Sequence, residues 1–235
     1  MFPLKDNIPL ARFPLATVAL ILANVVVYLL SIHHGGDFFG GPSQHVARHY
    51  GAIPAELTRP SRLQSAFSAL FLHGSIGPLI ADELALAIFA PSIEDATGRA
   101  RFLAFYLLGG IIALALHVLL APHSTIPALA AGGAVAAVLG GYLLSYPRAR
   151  VVTLAPVPFF ATILEVPAVL LLGLWLLAQL CFGLAGLADP VSGNWGLAYA
   201  ALCAGLLAGI ALIRPFLSAT RRAAKAQRTP HRPVY

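Results

Sequence analysis

Hydrophobic positions along this chain fall in long unbroken runs rather than in alternating or seven-residue patterns. Six runs are long enough, at about 1.5 Å per helical residue, to cross or nearly cross about 30 Å of hydrocarbon. They lie near residues 14–32, 76–93, 102–120, 127–146, 162–183 and 195–213. Continuous runs favour helices over strands, because a barrel strand shows apolar residues only at every second position. The pattern therefore predicts an all-α, polytopic membrane bundle of six transmembrane helices.

Composition agrees: 59% of residues are hydrophobic and 10% charged, with a mean hydropathy of +0.83. Between the runs the chain is uneven. Most connections are short, but the first, 33–75, is long, and long loops tend to carry function. It holds GGDFFGGP, turn prolines at Pro54 and Pro60, and the stretch Leu63 to His73, too short to span and suited to the interface. The chain divides into an N-terminal segment 1–13, a membrane domain 14–213 with its long outer loop, and a basic tail 214–235.

Positive charge sets orientation, since basic residues flanking a span stay on the cytoplasmic side. Lys5 and Arg12, Arg99 and Arg101, Arg148 and Arg150, and the tail residues Arg214, Arg221, Arg222, Lys225, Arg228 and Arg232 all fall on alternate segments. They make up twelve of the fifteen basic residues; Arg48, Arg59 and Arg62 are left outside. An even helix count with both termini cytoplasmic follows, as expected for a multi-pass protein of the plasma (inner) membrane. The first run reads as a retained helix, because no small-x-small cleavage site follows Leu30. The net charge of +6 belongs to this topology, so the partner implied is the lipid bilayer and no nucleic acid.

Cys181 and Cys203 fall inside apolar runs and read as small apolar groups. His33, His34, His45 and His49 in the first loop match no metal-ligand spacing, so neither a metal nor a cofactor is expected. Small residues recur four apart on the fourth run, with Gly132, Ala136 and Gly140 beside Gly133, Ala137 and Gly141. On the sixth they are Ala201, Gly205 and Gly209. Such rows lie on one helix face and let backbones approach closely, so these two helices are expected to pack together.

FLHG at 71–74, SIEDATGRARFLAFYLLGG from Ser92, and GGAVAAVLGGYLLSYPRARV from Gly132 carry a resemblance to bacterial rhomboid intramembrane serine proteases, over about residues 1–215. That resemblance implies a six-helix core, a serine nucleophile at the start of the fourth helix inside Gly-Ala-Ser-Gly-Ala, and a histidine base on the sixth. It also implies oxyanion donors, a histidine and an asparagine four apart, at the start of the second helix. Here the nucleophile position falls on Gly132, the base position on Leu202, and the oxyanion positions on Pro78 and Asp82. Glycine cannot attack a carbonyl, leucine cannot take a proton, proline has no donor, and a carboxylate would repel an oxyanion. His73 matches an earlier family histidine with a supporting role.

The fourth run has no serine from 127 to 144 and the sixth has no histidine, so no shift of alignment restores the dyad. Ser124 with His123 or His117 is the one rescue available, and proximity in sequence does not define a triad. The reading is a pseudoprotease that binds client transmembrane helices, with single-span membrane proteins as partners. An active rhomboid serine endopeptidase using another site, and a small-solute or lipid binder or transporter, are the alternatives. His73, Asp82 and Glu83 are the candidate cavity or client-binding residues, because a carboxylate inside a span is costly unless it meets water or a partner. Glu94, Asp95, Arg99 and Arg101 at the opposite end are expected to cap and anchor the second and third helices.

Overall fold

The computed structural model describes residues 2–157, 160–188 and 195–217. A short strand β1 (Phe2–Asp6) is followed by α1 (Leu15–His33), then by α2 (Gln44–Tyr50) and α3 (Leu63–Ser68) in the long loop. The bundle continues with α4 (Ile76–Thr97), α5 (Arg99–Leu120) and α6 (Ala131–Ser145). A hairpin of β2 (Arg150–Val157) and β3 (Phe160–Pro167) leads into α7 (Ala168–Ala188) and α8 (Trp195–Phe216). Helices thus occupy all six apolar runs.

Four of them, α1, α4, α5 and α8, are long and apolar enough to cross a membrane, while α6 and the stretch Ala168–Cys181 of α7 are shorter apolar segments. The helical membrane bundle is as the hydropathy pattern predicts. What the pattern does not predict is a sheet. Strands β1, β2 and β3 form one antiparallel sheet in that order, joining the start of the chain to residues 150–167. The expected fifth span therefore begins too early: residues 162–167 belong to β3, and the helix starts only after Pro167, where a proline cannot supply a helix-interior N–H. Residues 189–194 and the basic tail beyond 217, with Arg221, Arg222, Lys225, Arg228 and Arg232, lie outside the described residues.

The core sits where α4, α5, α6 and α8 meet. Phe89, Phe102, Phe105, Tyr106, Val138 and Tyr142 are buried there. Helix α6 is buried nearly all round, and its glycines explain how so many neighbours fit. A Cβ on Gly140 would strike the backbone of α8 at Leu206, and one on Gly209 or Gly205 would strike the backbone of α6 at Ala137 or Gly133. Gly141 gives room to the Phe105 ring, 2.7 Å from where its Cβ would be. Gly133, whose Cβ would lie 2.6 Å from that of Ala113, and Gly109 and Gly110 of α5 seat the α5–α6 contact.

At the sheet end, Glu94 does something other than cap its own neighbourhood. Its carboxylate accepts the Ala16 and Thr17 backbone N–H groups at 3.0 and 2.7 Å and the Thr17 hydroxyl at 2.8 Å. It thereby caps the N-terminus of α1, which has no capping side chain of its own. Arg99 approaches the same carboxylate at 3.8 Å, and Asp95 accepts the Ala11 N–H at 3.4 Å. The Glu94–Arg99 pair links the second and third helices as expected, and the same carboxylate also holds the first; α4 and α5 are joined through Gly98 alone. Its φ of +86° makes the turn, and its N–H reaches the Glu94 carbonyl at 2.7 Å. Asp6 of β1 is buried and accepts the Ser92 hydroxyl at 2.6 Å and the Tyr142 hydroxyl at 3.0 Å, tying the sheet to α4 and α6.

Candidate functional site

The long first loop folds back on the start of α4. Asp37 accepts the Phe39 and Gly40 N–H groups in a tight turn, and Tyr28 of α1 donates to the Phe38 carbonyl at 2.8 Å. Gly41, with φ +85°, presses its backbone against Gly74 so closely that no side chain would fit. Further along, Ala52 and Ala128 exchange backbone hydrogen bonds, and the Ala130 N–H reaches the Ala69 carbonyl at 2.7 Å. These contacts fix two non-helical pieces, 72–74 and 126–130, beside the N-terminal ends of α4 and α6.

Between them lies a cavity of about 560 Å³. Its wall takes Pro78 and Asp82 from α4, His117 from α5, Gly132 and Gly133 from α6, Trp175 and Gln179 from α7, and Tyr199, Ala201 and Leu202 from α8, with His73 from the preceding segment. Pro78 sits in the first turn of α4, where its missing N–H costs nothing. Residues far apart in sequence, at 73, 78, 82, 132 and 202, thus share one cavity.

Geometry within it is tight. A Cβ on Gly132 would lie 2.8 Å from Leu202 Cδ2 and 3.4 Å from Asp82 Oδ2, so Leu202 fills the space beside the glycine and the carboxylate faces both. His73 is buried, and its Nε2 lies 3.3 Å from Asp82 Oδ2, within ion-pair reach but out of line for a hydrogen bond. Both His73 ring nitrogens, His117 Nε2 and Gln179 Oε1 are buried without a hydrogen-bond partner.

Glu83 is not brought to the cavity. One residue along a helix turns the side chain by about 100°, and Glu83 instead accepts the Asn24 side-chain amide of α1 at 2.9 Å. Its other oxygen, Oε2, is buried without a hydrogen-bond partner.

Ser124 stands outside the cavity wall, in a turn where its hydroxyl accepts the Ile126 N–H at 3.3 Å. Among the described residues, no serine, threonine, cysteine, lysine or arginine lines the cavity. Among those residues there is also no group of three or more His, Cys, Asp and Glu placed to hold a metal ion. The loop histidines pair off as rings instead, His33 with His34 and His45 with His49.

A family model for the rhomboid domain matches residues 60–219, about two thirds of the chain. The chain belongs to the rhomboid family. No curated protein sequence matches it. In this rhomboid protein the matched region holds α3 to α8 and every residue that lines the cavity. Trp175, Gln179 and Tyr199 were invisible as site residues from sequence. An aromatic or an amide inside an apolar run has no local signature, and only the packing of α7 and α8 against α4 and α6 gives them a common neighbour.

Proposed function

We propose that this rhomboid-family protein is a pseudoprotease, which holds transmembrane helices of single-span client proteins without cutting them. The observation that carries the reading is the contact between Gly132 and Leu202. These residues occupy the positions at which the family resemblance implies the nucleophile and its base, and Leu202 fills the space into which a serine side chain would project. Acyl transfer needs an attacking oxygen or sulfur, a proton acceptor and donors for the oxyanion. Among the described residues the cavity wall holds no serine, threonine or cysteine to attack, and at the oxyanion positions it offers Pro78 and Asp82.

A site for a client remains: a cavity of about 560 Å³ is within the range that accommodates small ligands or large side chains. We place the protein in the plasma membrane with both termini cytoplasmic, residues 14–213 forming the membrane domain and the tail following it. The alternation of basic segments supports that orientation.

The test is cleavage of a general rhomboid model substrate in proteoliposomes beside an active rhomboid. No cleavage by this chain is expected, together with no covalent labelling by a fluorophosphonate probe. Turnover by the native chain would overturn the proposal and direct attention to Ser124. In the same membranes, photo-crosslinking is expected to enrich single-span proteins, and a proteome without any enriched partner would remove the client-holding role.

A further inference from the structure

Resting on the client-holding reading, we infer that the cavity is a receptor for an organic cation, an ammonium or guanidinium group, with Asp82 as its counter-ion. The side chain of Asp82 is 17% exposed, and that exposure opens into the cavity. A carboxylate at this depth is costly unless a partner offsets it. Among the described residues its ion-pair partner is His73, held at 3.3 Å without hydrogen-bond alignment.

Around the same space, polar atoms of two further residues lack partners, His117 Nε2 and Gln179 Oε1, and both residues line the wall. Native proteins rarely leave buried polar atoms unpaired, so a group that satisfies several at once is the expected occupant. Water would satisfy the imidazoles and the amide but would bring the carboxylate no positive charge beyond what His73 can carry, in a low-dielectric setting.

The acceptors select the chemistry. Asp82 and Gln179 Oε1 accept, and each neutral imidazole offers one accepting nitrogen. No lysine or arginine among the described residues competes for them. An ammonium brings three donors and a guanidinium five in a planar fork that suits a carboxylate. Glu83, one residue on, is turned away from this space toward Asn24. Thus a position where the family resemblance implies a donor for an oxyanion holds an acceptor for a cation. The cation could be a free amine or guanidine, or the Lys or Arg side chain of a client helix.

The test uses the full chain in nanodiscs and synthetic 22-residue Leu/Ala helices, each with a photoreactive group and Arg, Lys, Gln or Leu at one central position. n-Butylguanidinium is assayed alone by thermal shift and as a competitor. Capture of the Arg and Lys peptides about tenfold better than Gln or Leu, lost in Asp82→Asn and competed by butylguanidinium, would establish the site. Because the four peptides are compared on the native chain, the result does not depend on the variant folding. Saturable binding of butylguanidinium without preference for basic peptides would assign the site to free cations. Equal capture of all four peptides with no binding of butylguanidinium would overturn the cation proposal and leave client holding intact. Binding of butylguanidinium with no peptide captured would instead remove client holding, and no binding of any probe would remove both.

Discussion

Replacing Gly209 with alanine tests the helix packing most directly. The new Cβ would lie 2.7 Å from the Ala137 carbonyl carbon and 2.8 Å from its Cα, with the carbonyl oxygen nearer still. All three are backbone atoms of α6, so no rotamer change relieves the overlap. Carbon atoms rest at about 3.5–4.0 Å, so α6 and α8 must part by about 1 Å. Overpacking of this kind costs about 1–3 kcal/mol, and dispersion is a main force holding helices together in lipid. Alanine returns up to about 1 kcal/mol of helix propensity. Gly173→Ala on α7 isolates that gain, because its Cβ would meet nothing within 4 Å. Unfolding followed by tryptophan fluorescence in mixed micelles with rising dodecyl sulfate should show Gly209→Ala less stable than Gly173→Ala by about 1–3 kcal/mol. Gly140→Ala, whose Cβ would meet Leu206 from the other side of the same interface, should add less than its full cost to Gly209→Ala, since helices already separated leave it room. Equal stability of Gly209→Ala and Gly173→Ala would refute the close-approach argument.

Three further outcomes are expected. Asp6→Ala strands the Ser92 and Tyr142 hydroxyls and should cost about 2–4 kcal/mol, with Asp6→Asn closer to native; hydrogen exchange in β1 and β2 reads the loss, and unchanged protection would contradict it. Glu94→Gln keeps one good acceptor where two oxygens now serve the start of α1, so it should cost about 1 kcal/mol and Glu94→Ala about twice that, measured by the same unfolding assay. Gly132→Ser with Leu202→His should cleave a model substrate about a hundredfold or more slower than the quadruple variant that adds Pro78→His and Asp82→Asn; equal rates would mean that Pro78 and Asp82 do not matter to an oxyanion.

The helical bundle was legible because lipid demands long unbroken apolar runs, and those are visible without any knowledge of packing. The small-residue rows on α6 and α8 were legible for a related reason, since close approach needs absent side chains at fixed spacing. Gly109 and Gly110 on α5 serve the same close approach as an adjacent pair, without the four-residue repeat that makes such rows visible. The sheet was not legible. ATILEVP reads as the opening of a span, and a short apolar strand cannot be told from a helix turn by periodicity alone; only Pro156 and Pro167 hinted at the break. Asp82 stood out as a charge in a run, but Glu83 beside it looked the same, and only the direction of each side chain separates the wall of a cavity from a bond to Asn24. Asp6 and Glu94 act on partners about eighty or more residues away, beyond what any local pattern can express.

The pairing of β1 with β2 imposes a parity on the chain. Hydrogen-bonded strands must lie on one side of the bilayer, so the backbone between Asp6 and Arg150 crosses it an even number of times. Helices α1, α4 and α5 make three crossings if each spans, and α6 has to make the fourth. Yet α6 has 15 residues, about 22 Å of helix, against about 30 Å of hydrocarbon. The bilayer around this rhomboid protein is therefore expected to thin beside α6, or to be kept from it by the neighbouring helices.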